Sequence, residues 1–232
     1  MNKELNSKID GVYRLMADAY NGNWKFRWGG TPYFDTDKTG SVESVVAHEW
    51  GCSLFWLVLR RACPALDKAV NSNEVYEILL THDLGETHQG DISRFRQLQG
   101  HGEGKHLSER DAIDLMTQPV ESDTRLAILN WFDEFEKRPE EMTKLEVLVA
   151  KFIDSLQGDH FALTFGHDLP ANSELISKIV NKHTVPYARR LMEVLEQKGH
   201  FEAKEEVLQI FRHHIEGMSA VGIKLDTTGY PE

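Results

Sequence analysis

The ten residues His82-Asp83-Leu84-Gly85-Glu86-Thr87-His88-Gln89-Gly90-Asp91 hold two histidines, two aspartates and a glutamate. They follow Val75-Tyr76-Glu77-Ile78-Leu79-Leu80-Thr81, an apolar run that predicts a buried helix over residues 73–84. Polar groups delivered by a buried helix cost free energy unless they are paired or bind a cation. A metal ion is the simplest single partner for several of them. Adjacent His and Asp diverge by about 100° on a regular helix, so they share a site only at a helix end. The glycine at 85 offers the backbone freedom for that.

Two further helices carry candidate ligands. His48 lies in a segment predicted to be helical from Ser41, a possible N-cap with Ser44 close behind, to Arg61, and apolar nearly all round from Val45 to Leu59. Asp154 sits beside the apolar face Leu145, Leu148, Val149, Phe152, Ile153 and Leu156 of a long helix over 140–165. Two imidazoles and two carboxylates make a mixed N/O donor set. It suits a mid-row divalent ion such as Mn, Fe, Co or Ni, with open positions, better than a thiolate-rich structural zinc site, and Mg is a further candidate ion. Each residue alone has an ordinary structural reading, as a packed histidine or a solvated carboxylate; their order and placement together favour metal.

The surrounding words resemble the HD-domain metal-dependent phosphohydrolase superfamily. Val42-Glu43-Ser44-Val45-Val46-Ala47-His48-Glu49-Trp50 is similar to its first-histidine helix. His82-Asp83-Leu84-Gly85-Glu86 with Gly90-Asp91-Ile92 resembles the signature of its 5′-deoxynucleotidase-like branch. The resemblance implies His48, His82, Asp83 and Asp154 as metal ligands, Glu86 as the residue that orients or deprotonates water, and Asp91 as the acid/base near the leaving oxygen. It also implies Arg27 as a phosphate contact and Trp28 as a pocket wall, and it points to a homodimer. The substrate it implies is a nucleoside 5′-monophosphate. Arg94, Arg96 and Lys105 are further available phosphate clamps, and His88, between Glu86 and Asp91, is a candidate substrate contact. Competing readings are a deoxynucleoside triphosphate triphosphohydrolase and a non-catalytic helical binding protein that keeps the metal for stability.

The elements that must position these groups read as helices. Residues 3–20 place Leu5, Ile9, Val12, Tyr13, Met16 and Tyr20 at helical spacing, and Asn21-Gly22-Asn23 is the expected stop. Residues 85–107, with five glycines, read as a long irregular segment. Helices are expected over 108–116, from Pro119 to Arg138, from Asn172 to Lys198 with Pro186 kinking or dividing it, and over 201–218. No strand alternation, repeat or linker is visible. The expected fold is all-α: one HD-type domain over 1–218, a helical bundle with additional C-terminal helices, and an irregular tail over 219–232.

The formal charge of −11 excludes non-specific binding to nucleic acid polymers or acidic membranes. No apolar run approaches the roughly 20 residues of a membrane span. With two cysteines and no apolar leader after Met1, a cytoplasmic enzyme is expected.

Overall fold

The structure is a computed structural model and describes residues 3–35 and 42–228. Every regular element among them is helical, as expected; one isolated antiparallel bridge joins Phe26 to Ser44. Two compact units divide the chain. The first comprises Met1–Thr31, Asp35–Ser53 and Tyr76–Lys137, and the second Pro32–Phe34, Leu54–Val75 and Arg138–Glu232.

In the first unit, α1 (Lys3–Ala19) runs into a 3-10 turn at Tyr20–Trp24 instead of stopping at Asn21. Its inward side is Gly11, Leu15 and Ala19, not the larger apolar stripe. Gly11 lies so close to the Pro119 carbonyl that a Cβ would collide with its oxygen, and Leu5, Ile9, Val12, Tyr13, Met16 and Tyr20 are exposed. Leu15 and Ala19 pack on a core of Leu84, Ile113, Met116, Leu129 and Phe132. Ser41 falls outside the described residues. The helix carrying His48, α2 (Val45–Ala62), is capped by Ser44, whose Oγ accepts from the Ala47 N–H at 3.2 Å. It is shared between the units, as is α4 (Ser72–Leu79), while α3 (Pro64–Ala69) belongs to the second.

The segment expected to be irregular contains two short helices and the start of a third: α5 (Glu86–Gln89), α6 (Arg94–Leu98) and α7 (Lys105–Thr117). Here the glycines punctuate helices. Gly90 ends α5 with φ +89° and donates its N–H to the Glu86 carbonyl, and Gly104 leads into α7 with φ +78°. Helix α8 (Ser122–Phe135) completes the unit.

The second unit also holds a 3-10 turn at Pro139–Glu141, α9 (Leu145–Phe165), α10 (Ser173–His183), α11 (Val185–Gln197) and α12 (Phe201–Ala220). Helix α11 packs against α9 and α12, and α12 against α3. Fully buried Leu148, Phe152, Leu191, Leu195, Val207 and Phe211 form much of this interior. The expected long helix over 172–198 is divided at Thr184, because Pro186 has no N–H to continue the ladder. The Thr184 hydroxyl donates instead to buried Asp159 at 2.6 Å.

Candidate metal centre and its surroundings

A run of turn residues, Leu80 to Gly85, follows α4 and places His82 and Asp83 at its relaxed end. Gly85 itself is in ordinary helical conformation (φ −62°, ψ −33°), so it does not supply conformational freedom. It supplies space. A Cβ there would meet the backbone oxygen of Glu109 at 2.7 Å and the Glu109 Cβ at 2.8 Å. The start of α5 can lie on α7 only through a residue without a side chain.

His48 and His82 are buried, and their Nε2 atoms face each other at 3.3 Å. The Asp83 Oδ2 is 3.6 Å from the first and 3.5 Å from the second. The far side of the His82 ring fixes its tautomer. His82 Nδ1 donates to the Leu79 carbonyl at 3.0 Å, and His48 Nδ1 faces the Glu43 carboxylate at 3.8 Å. His82 Nε2 therefore directs a lone pair toward His48 Nε2 and the Asp83 oxygen, and three ligand atoms converging at these distances are the arrangement that a shared cation takes up. The near-equilateral triangle they form matches the roughly 3.0–3.5 Å that separates neighbouring ligands bound at about 2.0–2.2 Å from one ion. The donor set fits a divalent metal.

Cys52, one turn beyond His48 on α2, is buried against the same ring. Its Sγ is 3.7 Å from Nδ1 and 3.6 Å from Nε2. A sulfur nearly equidistant from both ring nitrogens is not aligned with the Nε2 lone pair; it packs on the imidazole. Asp154 belongs to the second unit, on α9, where it is 6% exposed.

Beside the triangle, Glu86 opens α5 and is 3% exposed. Its Oε1 accepts from the Lys105 ammonium at 2.8 Å, while its Oε2 is buried with no hydrogen-bond partner. Burial, with Asp83 and Asp91 adding repulsion, pushes the Glu86 carboxyl well above its ordinary range, and Lys105 and Arg27 oppose this. Lys105 is not a free phosphate clamp: its ammonium is also 2.9 Å from Glu109. Burial works against its charge, and the carboxylates of Glu86, Glu109, Asp83 and Asp91 outweigh that, so its proton is held more tightly than usual.

The Phe26–Ser44 bridge sets Arg27 opposite Glu43: the Arg27 N–H donates to the Glu43 carbonyl at 2.8 Å, and Val45 N–H to the Lys25 carbonyl at 2.9 Å. The Glu43 carboxylate thus stands between the Arg27 guanidinium, at 3.7 Å, and His48. Trp28 has φ +69°, a left-handed conformation costly for an aromatic residue. It is held there by its N–H, which donates to Asp91 Oδ2 at 3.3 Å, and by the Ser93 hydroxyl, which donates to the Gly29 carbonyl at 2.7 Å. The first unit therefore brings His48, His82, Asp83, Glu86, Asp91, Arg27 and Trp28 into one neighbourhood. Arg94, at the first turn of α6, and His88, exposed at the end of α5, are not among the charges that move Glu86.

Sequence reading gave no role to Glu43 and Glu109 and gave Lys105 a different one. The local signal among them was the four-residue spacing Lys105–Glu109.

The HD domain family profile matches residues 35–194, well over half of the chain. The chain belongs to the HD-domain family. The His82-Asp83 doublet lies within that match. The HD fold here is also similar to the crystal structure of a predicted metal-dependent phosphohydrolase from Magnetospirillum magnetotacticum MS-1. That likeness covers 97% of this chain and 100% of the other at a TM-score of 0.63 and 18% identity, so it is one of fold. No curated protein sequence matches. Among the described residues, no helix is long and apolar enough to cross a membrane.

Proposed function

We propose that this HD-domain protein is a metal-dependent phosphohydrolase that removes phosphate from a nucleoside 5′-monophosphate, as a cytoplasmic homodimer. The observation that carries the reading is the facing of His48 Nε2, His82 Nε2 and Asp83 Oδ2 at 3.3–3.6 Å, with the unpartnered Glu86 Oε2 in the same unit. Asp154, a buried carboxylate, is the fourth ligand in this reading. A divalent ion held by these residues would neutralise phosphoryl charge and lower the pKa of a bound water.

Glu86 receives the proton of the attacking water on Oε2, since Oε1 is engaged by Lys105. As water oxygen bonds to phosphorus and the ester bond to the 5′ oxygen breaks, Asp91 is the acid/base group through which a proton reaches that oxygen. Arg27 binds phosphoryl oxygens, and the Trp28 ring lines the nucleoside side. Arg94 and His88 make outer substrate contacts, consistent with their positions on α6 and at the end of α5.

The test is a nucleotide panel with Mn, Co, Ni, Fe or Mg added back, its products resolved by ion chromatography. Orthophosphate from monophosphates is the expected result. Tripolyphosphate from deoxynucleoside triphosphates would replace this reading by triphosphohydrolysis. Nucleotide-induced thermal stabilisation without turnover by any metal would replace it by a binding role. Light scattering reads the dimer.

A further inference from the structure

Glu86, Lys105 and Glu109 form a carboxylate–ammonium–carboxylate chain that ties the start of α5 to α7, with distances of 2.8 and 2.9 Å at the central ammonium. Both carboxylates are buried; the Lys105 side chain is only 20% exposed. Two glycines make the chain possible. Gly104, at φ +78°, turns the backbone so that Lys105 begins α7, and Gly85 lets the start of α5 touch α7 at Glu109. The ammonium engages Oε1 of Glu86 and leaves Oε2 as its unpartnered atom. A carboxylate so fixed has one oxygen committed and one available.

We propose that Lys105, anchored by Glu109, is a positioning residue that orients Glu86 and keeps its Oε2 available to accept a proton. This deepens the phosphohydrolase reading and rests on it for its kinetic consequences. Lys105 does not touch substrate in this role: Glu109 restrains its ammonium from one side, and Glu86 takes its charge on the other. The groups that face Glu86 electrostatically are Lys105, Asp83, Asp91 and Arg27. Lys105 is the one in direct contact.

The experiment compares wild type, Lys105→Met, Lys105→Arg and Glu109→Gln in metal-loaded, full-length protein. Lys105→Met is expected to lower kcat about 100-fold, within the usual worth of a positioned general base, with KM and metal content changed less than about threefold. Its acid limb in the pH–kcat profile moves to higher pH, because the ammonium that favours the ionised carboxyl is gone. Lys105→Arg restores at least about tenfold of the loss, and Glu109→Gln, which removes one of the two groups holding the ammonium, lowers kcat by a smaller factor. A Lys105→Met protein with wild-type kcat and pH profile overturns the proposal, as does an arginine variant no better than methionine. If both Lys105 variants fail to fold, a wild-type kcat in folded Glu109→Gln overturns it.

If wild type turns over no nucleotide, the phosphohydrolase reading fails on its own, and 13C NMR of carboxyl-labelled glutamate in the Mg-loaded protein still reads the contact. The Glu86 resonance should titrate at higher pH in Lys105→Met than in wild type. An unchanged titration would overturn the positioning role.

Discussion

The Nε2 atoms of His48 and His82, thirty-four residues apart, face each other at 3.3 Å, with the His82 proton held on the opposite side of its ring. Each ring is oriented from behind, by Glu43 or by the Leu79 carbonyl, and Asp83 closes the triangle. Such an arrangement is stable when a cation shares the three lone pairs. Adding a divalent metal at about 100 times its Kd should stabilise the protein by about 2.7 kcal/mol and raise Tm by about 5–10 °C. His82→Ala and Asp83→Ala should each abolish that shift and lose metal and activity together, as read by elemental analysis and calorimetry. Glu86→Ala should keep the metal and lose turnover.

Glu43 serves His48 from behind the ring, and residues that orient a ligand tune its affinity. Glu43→Gln keeps the shape but removes the charge facing Nδ1. It should weaken metal binding by about 10–100-fold in a protein that still folds, measured by competition with a chelating dye. Unchanged affinity would show that the 3.8 Å approach of Glu43 is packing only.

Cys52 offers a contrast. Its sulfur is nearly equidistant from both nitrogens of His48, so it packs on the ring and lies off the line of the Nε2 lone pair. Cys52→Ala should keep metal affinity within about threefold, at a stability cost of about 1–2 kcal/mol for the lost buried packing. Urea denaturation reads the second and elemental analysis the first; metal loss in a folded variant would make the thiol a ligand.

Glu109 gives a pH signature. Burial pushes its carboxyl up to about 7 from an ordinary value of 4.5, despite the opposing Lys105 ammonium. Between those values the folded protein holds a proton that the unfolded chain has released. This contribution to stability is therefore complete below about pH 4.5 and is lost as pH rises through about 7. Glu109→Gln stays neutral throughout, so its urea midpoint should fall less than that of wild type between about pH 5 and 7.5. Parallel profiles would count against a raised Glu109.

Gly85→Ala tests the close approach of α5 to α7. The added Cβ meets Glu109 backbone at 2.7–2.9 Å, and backbone cannot swing away as a flexible side-chain end does. A loss of about 1–3 kcal/mol is expected in denaturant unfolding. A neutral substitution would mean that α7 shifts freely.

Sequence alone determined what is local. Helical spacing identified most of the helices, and the His82-Asp83 doublet with Glu86 and Asp91 singled out residues that the first unit gathers beside His48. It erred where an element's face or role depends on a distant partner. The stripe of α1 reads as an inward face, yet Pro119 approaches at Gly11 and leaves Leu5, Ile9 and Val12 exposed. Gly85 reads as a hinge and is a contact point, because whether a glycine gives freedom or space is decided by what lies opposite. Lys105 reads as a clamp for phosphate, and its ammonium is committed to Glu86, nineteen residues earlier. Residue types and short spacings limit which chemistry is available. Which nitrogen carries a proton, which oxygen stays unpartnered and which cation meets which carboxylate depend on distances of a few ångströms between remote segments, and only the tertiary structure sets those.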